Sequence, residues 1–207
     1  LWETVAELIT KKGGIIKKEH KVIGIEIENS NIKSVTCDVN GKKEIIKGDI
    51  FISSMPLKDL INAIQKEKVP TNIKKIANGL PYRDFVTIGL LVDKLNLKNE
   101  TNIKTLGNIV PDCWIYVQEE AVKLGRIQIF NNWSPYMVKD PKNTVWIGLE
   151  YFCNEGDEFW NMSKVECIKF ATNELIEMGI INNNNVKDSH LEKVKKAYPA
   201  YFDTYSE

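Results

Sequence analysis

The side chains best suited to chemistry in this sequence fall in two stretches, Cys113-Trp-Ile-Tyr-Val-Gln-Glu119 and Gly125-Arg-Ile-Gln-Ile-Phe-Asn-Asn-Trp-Ser-Pro-Tyr136. Both read as strands. Side chains alternate along a strand, so Trp114 and Tyr116 share one face, as do Arg126, Gln128 and Phe130. A sheet face that combines aromatic rings with an arginine can bind an anionic ligand. The planar guanidinium offers paired hydrogen bonds to phosphate oxygens, while Trp and Tyr supply stacking faces and single donors. The same pattern also fits a core sheet that carries one surface ion pair.

Other chemistries find little support. His20 and His190 stand beside charged residues and outside any nucleophile motif, so both read as surface or structural imidazoles. No Gly-rich dinucleotide fingerprint, P-loop, H-E-x-x-H or calcium-loop pattern occurs. Cys37, Cys113, Cys153 and Cys167 lack the C-x-x-C spacing of a zinc site or redox pair, and read as reduced, buried thiols of a cytoplasmic protein. Glu150, Tyr151, Asp157 and Trp160 lie where a strand passes into a loop and helix. Glu150 there reads as an ordinary ion-pair partner, with contact to a sugar hydroxyl as the alternative. Lys plus Arg equals Asp plus Glu at 28 each, so no global field recruits nucleic acid or an anionic membrane. No apolar run approaches a bilayer span.

The elements that must position these residues can be read from periodicity. Trp2, Val5, Ala6, Leu8 and Ile9 recur at helical spacing up to Gly13-Gly14. The runs Lys21 to Ile27, Ile32 to Val39 and Glu44 to Ile46, with Asn40-Gly41 as a two-residue turn, predict a β-meander. Asp49 to Pro56 reads as a buried strand and Leu57 to Lys68 as a helix. Asp84 to Asp93, Cys113 to Gln118, Arg126 to Trp133 and Thr144 to Cys153 read as an antiparallel sheet. Ser163-Lys-Val-Glu166 is a capping box, opening a helix whose core side carries Val165, Ile168, Ala171, Leu175 and Met178. A last strand ends at Ala197-Tyr198-Pro199. The expected class is α+β of α/β derivation, with a first lobe over 1–80 and a mainly antiparallel sheet with flanking helices over 81–207.

Two sets of residues carry a resemblance to known families. The helix ending at Gly13-Gly14, the strand Lys21-Val-Ile-Gly-Ile-Glu-Ile27 and the run Gly48-Asp-Ile-Phe-Ile-Ser-Ser-Met-Pro56 resemble the middle of the flavin amine oxidase and protoporphyrinogen oxidase superfamily. That resemblance implies FAD, with Val22 meeting the adenine through its backbone and Ser53, Ser54, Met55 and Pro56 close to the dinucleotide. The order C-W-I-Y-V-Q-E-E, G-R-I-Q-I-F-N-N-W-S-P-Y and A-Y-P-A-Y is similar to the eukaryotic-type UDP-galactopyranose mutases across most of the chain. By that resemblance Trp114 and Tyr116 face the substrate, Arg126 grips the diphosphate of a nucleotide sugar and Tyr198 adds a hydroxyl to it. It implies nonredox use of reduced flavin: UDP leaves, and the sugar ring opens and recloses as the furanose.

The sequence departs from the mutase pattern at Trp133, where the family has Tyr, so an indole replaces a phenolic donor. The Gly-rich dinucleotide-binding unit expected before Leu1, and the flavin-contacting segment expected after Glu207, are not in the sequence. Leu1-Trp2-Glu3 runs straight into a helical pattern without an initiator Met. The expectation is an internal segment of a longer FAD enzyme, inactive by itself. The alternatives are an amine oxidase or protoporphyrinogen oxidase-like dehydrogenase, or a noncatalytic lobe that docks a partner through its aromatics.

Overall fold

The amphipathic spacing of Trp2, Val5, Ala6 and Ile9 forms helix α1 (Trp2–Lys11), which ends where Gly13 adopts a φ of 85°. The meander comes next as β1 (Lys21–Glu28), β2 (Asn31–Val39) and β3 (Lys42–Lys47), antiparallel in that order. Asn40 and Gly41 take positive φ of 52° and 82°, as a two-residue turn requires, and Asp38 accepts a hydrogen bond from the Gly41 N–H at 2.8 Å. Ile25 and Cys37 are the buried apolar residues of this sheet. In the computed structural model, which describes residues 1–206, these elements belong to one of two compact units.

Two expectations for this unit need correction. Asp49 to Pro56 forms no strand, and Ile50 and Ile52 are 85% and 95% exposed. A strand needs a neighbour to satisfy its ladder, and among the described residues none pairs with this run. The helix predicted over 57–68 is also shorter, because α2 (Leu57–Ala63) stops where Ile64 becomes extended and pairs in parallel with Ile25. Gln65 Oε1 accepts a hydrogen bond from the Ile27 N–H at 3.3 Å. Pairing with the meander therefore prevails over local helical periodicity.

A helix not anticipated, α3 (Thr71–Gly79), begins after Pro70. The Thr204 hydroxyl donates to the Ile76 carbonyl at 2.9 Å. The Thr204 side chain also occupies the space a Cβ on Gly79 would need. The C-terminal segment from Tyr201 thus packs with residues 1–80, whereas sequence pattern alone places it with the second lobe.

The second unit, Pro81–Ala200, contains β4 (Tyr82–Val92), β5 (Trp114–Tyr116), β6 (Arg126–Ile129), α4 (Phe130–Trp133), β7 (Val145–Cys153), α5 (Glu158–Asn161), α6 (Lys164–Glu177) and β8 (Val186–Pro199). Its sheet runs β5-β6-β7-β4-β8, every pair antiparallel. Alternation gives the sheet two unlike faces. Val86, Ile88, Leu90, Ile127, Ile129, Ile147, Leu149 and Tyr151 are buried in one cluster with Phe159, Cys167, Ala171 and Leu175 from the helices. Burial and the nearby Glu174 carboxylate push the Tyr151 phenol pKa upward. The alternate residues make the opposite, more open face.

The strand expected over 126–133 ends at Ile129. The Asn131 side chain donates to the Thr144 carbonyl at 2.8 Å and accepts from the Trp146 N–H at 2.9 Å. Asn132 donates to the carbonyls of Val110 and Asp112, both at 2.8 Å. These bonds reward a turn over an extended chain, and Phe130 enters α4 instead of continuing β6.

Helix α6 begins with the predicted capping box, Ser163 Oγ accepting from Glu166 N–H and Glu166 from Ser163 N–H. Its buried face is Cys167, Ala171, Glu174 and Leu175, while Val165, expected in the core, is 75% exposed. Ser163→Ala should lower stability by about 1 kcal/mol, measured by urea unfolding, since it orphans a first-turn N–H. All four cysteines are free; Cys113 is half-buried, unlike the buried other three. Burial pushes the thiols of Cys153 and Cys167 upward in pKa, which keeps them protonated and unreactive.

Candidate functional site

The open face of the second unit's sheet gathers three of the five residues expected to bind substrate, Trp114, Tyr116 and Tyr198, around the guanidinium of a fourth, Arg126. Tyr116 on β5, Arg126 on β6 and Glu150 on β7 stand directly opposite one another across the ladders. Arg126 Nε and Nη2 donate to Glu150 Oε2 at 2.9 and 2.5 Å. Nη1 lies 3.4 Å from the Tyr116 hydroxyl, and Nη2 lies 3.4 Å from the Tyr198 hydroxyl of β8. The guanidinium carbon is 5.5 Å from the Trp114 ring centre and 5.7 Å from that of Tyr116, within cation–π range. Trp133 joins the group indirectly, packing edge-on against Trp114 with ring centres 4.6 Å apart.

Electrostatics make this a fixed cation. Burial alone disfavours charge on Arg126, but hydrogen bonds with Tyr116, Tyr198 and Glu150, with the Glu150 charge, outweigh it and hold the guanidinium pKa above its ordinary value. The Glu150 side chain is 4% exposed and also accepts a hydrogen bond from Gln128 Nε2. Glu150 is thus a buried ion-pair partner, as the simpler sequence reading has it, though not at the surface. The rings around it stay accessible: Trp114 and Trp133 are each 45% exposed, Tyr116 65% and Tyr198 43%. A buried carboxylate holds the Nε–Nη2 edge, so the Nη1 side and the two phenols are what a ligand can meet.

Aromatic rings lie over glycines on the same face. A Cβ on Gly89 would sit 2.7 Å from Trp146 Cζ2, and one on Gly148 would sit 2.9 Å from Phe130 Cζ. Phe130 therefore covers the face even though it left the strand. Gly89→Ala should displace the Trp146 ring and lower stability by about 1–3 kcal/mol, the cost of overpacking, read from a chemical-denaturation midpoint.

The residues expected at a dinucleotide fall in the other unit. Val22 is on β1, half-buried and opposite Cys37. Ser53, Ser54, Met55 and Pro56 form an irregular turn in which Ser53 and Ser54 are exposed, Ser53 Oγ accepts from the Met55 N–H at 3.3 Å, and Pro56 leads into α2. No hydrogen bond joins Val22 to this turn among the described residues. His20 meets Glu44 at 3.2 Å in the first unit, and His190 meets Glu192 at 3.0 Å on β8. Among the described residues no group of three or more His, Cys, Asp or Glu side chains could hold a metal ion, and no helix is long and apolar enough to cross a membrane.

Sequence reasoning names Arg126 and its rings but passes over Gln128 as a partner and Arg83 altogether. The missing information is register: only the ladder shows that Arg126 faces Glu150 and that Arg83 faces Tyr198.

Comparison with known proteins gives likeness at the level of fold. No protein-family model and no curated protein sequence matches the chain. Among solved structures, a reduced UDP-galactopyranose mutase superposes with a TM-score of 0.72 at 19% identity, over 97% of this chain and 40% of the mutase. A putative protoporphyrinogen oxidase from Exiguobacterium sp. 255-15 gives 0.65 at 10% identity, over 96% of this chain and 40% of that one. An oxidoreductase from Methanosarcina mazei gives 0.58 at 14%, over 95% and 42%. The chain spans about 40% of the length of these neighbours. With its meander, helices and mainly antiparallel five-stranded sheet, it has the fold that a part of UDP-galactopyranose mutase and of protoporphyrinogen oxidase-type proteins also has.

Proposed function

We propose that this chain is part of an FAD-dependent enzyme that acts on a UDP-sugar in the manner of a UDP-galactopyranose mutase, with the second unit holding the substrate. The observation that carries this reading is the convergence of Arg126, Tyr116 and Tyr198, from three strands, on one accessible point flanked by Trp114. One fixed positive charge with two phenolic donors suits a phosphate oxygen. Such donors, already oriented by Glu150, stabilise negative charge as it builds on a departing diphosphate without having to reorganise. Trp133 adds to the aromatic wall instead of supplying the phenol the mutases have there.

The residues of the first unit fit part of a flavin site. The exposed Ser53-Ser54 turn offers hydroxyls, and Val22 offers strand backbone, but no cation stands among these residues to meet a pyrophosphate. Ser53, Ser54, Met55, Pro56 and Val22 would contact the cofactor, and a bound flavin would supply the covalent chemistry at the sugar's anomeric carbon. This chain's residues would bind and orient the nucleotide sugar and hold its charge.

An oxidase-type reading has one observation in its favour. On the same sheet face a cavity of about 420 Å³ is lined by Leu91, Met137, Val138 and Trp146 together with Lys139, Asp140 and Thr144, and its apolar wall suits a greasy substrate. Both readings are separated by one assay of the full-length protein. Interconversion of UDP-galactopyranose and UDP-galactofuranose, seen only after the flavin is reduced, supports the mutase. Oxygen consumption with an amine or porphyrinogen, without interconversion, rejects it.

A further inference from the structure

We propose that Arg83 is a second anion-binding residue, reaching the same diphosphate as Arg126 from the far side of the Tyr198 hydroxyl. This role rests on the nucleotide-sugar reading and adds a residue to it. The first support is charge. Arg126 is paired with Glu150, so the centre of the cluster is formally neutral, whereas a diphosphate ester carries about two negative charges at neutral pH and favours a site with net positive charge. A further cation on this face would supply it.

Arg83 is placed to do so. It stands opposite Tyr198 in the β4–β8 ladder, and such directly paired residues have Cβ atoms about 4.5–5.5 Å apart on one face of the sheet. The Tyr198 hydroxyl in turn lies 3.4 Å from Arg126 Nη2. Arg83 is exposed, and among the described residues no carboxylate lies within ion-pair distance of it. Its neighbour Asp84 points the other way and is buried. The Asp84 carboxylate accepts from the Lys196 N–H at 2.6 Å and from the Glu155 N–H at 2.7 Å, which fixes the irregular step in the ladder between Arg83 and Phe85. The backbone that presents Arg83 is therefore pinned while its side chain stays available.

Residue choice points the same way. Of 28 basic residues only Arg83 and Arg126 are arginine, and every other one is lysine. Lysine would serve for solubility, but arginine's planar fork makes two parallel hydrogen bonds to phosphate. Of the two arginines of a lysine-dominated chain, one lies 3.4 Å from the Tyr198 hydroxyl and the other pairs with Tyr198 in the ladder.

The test is calorimetric titration of UDP, and separately of inorganic pyrophosphate, into the full-length wild type, Arg83→Gln, Arg83→Lys and Arg126→Ala. Arg83→Gln should weaken both ligands about tenfold, the scale of one charge-assisted contact. It should also flatten the dependence of affinity on salt, as removal of one screened charge demands, and leave the unfolding midpoint where it was. Arg83→Lys should lose less than Arg83→Gln. If Arg83→Gln binds both ligands like the wild type while Arg126→Ala does not, Arg83 has no role and the nucleotide-sugar reading stands. Pyrophosphate binding that depends on Arg83, without UDP binding, keeps the anion role and removes the nucleotide. A wild type that binds neither ligand ends both.

Discussion

Glu150→Ala is expected to destabilise the second unit by about 3 kcal/mol, the low end of the range for removing one partner of a buried ion pair. The Arg126 side chain is only 14% exposed and keeps its charge, so the variant deprives a guanidinium and the Gln128 amide of their shared carboxylate acceptor. Most of the loss is this orphaned polarity, not the attraction of the original pair. The double variant Glu150→Leu/Arg126→Met should therefore recover much of the stability that Glu150→Ala loses, measured as the midpoint of denaturant unfolding. Equal destabilisation by both variants would show that packing, not charge, governs the site. For contrast, Lys195–Glu155 joins side chains 58% and 59% exposed, and truncating either should change stability by no more than about 0.5 kcal/mol.

Arg126→Ala is expected to weaken UDP binding by about 1.5–3 kcal/mol, the range for a hydrogen bond to a charged group. Arg126→Lys should recover little of it. The Nε–Nη2 edge holds Glu150 while Nη1 reaches the Tyr116 hydroxyl and Nη2 that of Tyr198, and a single ammonium cannot occupy all these positions at once. Because the alanine variant also strands Glu150 in a buried position, affinity must be read on protein shown to be folded, by titration well below its unfolding temperature. UDP affinity equal to the wild type in folded Arg126→Ala would remove the guanidinium from any substrate role. Loss confined to the unfolded fraction would do the same.

Local chemistry accounts for what could be read before folding. Asn40-Gly41 fixes its turn because both residues accept positive φ, and Ser163 with Glu166 starts α6 because each caps the other's free N–H. The core strands β4 and β7 are long and apolar enough to be recognised from composition alone. Where neighbours decide, local pattern misleads. Asp49 to Pro56 has the composition of a strand but no partner among the described residues, and Ile64 leaves its helix to pair with Ile25. Phe130 turns out of its strand because Asn131 and Asn132 find distant carbonyls.

The same division runs through the candidate site. Residue types and period-2 spacing already set Trp114, Tyr116 and Arg126 as an aromatic and cationic group, because alternation is a property of the single strand. That Glu150 neutralises Arg126, that Tyr198 arrives from a strand 72 residues away, and that Arg83 stands beside it, are matters of ladder register. Register is set by how whole strands fit against a shared core, here the cluster around Ile88, Ile127, Leu149 and Leu175. The sequence by itself chose the chemical groups, and tertiary packing decided which of them meet.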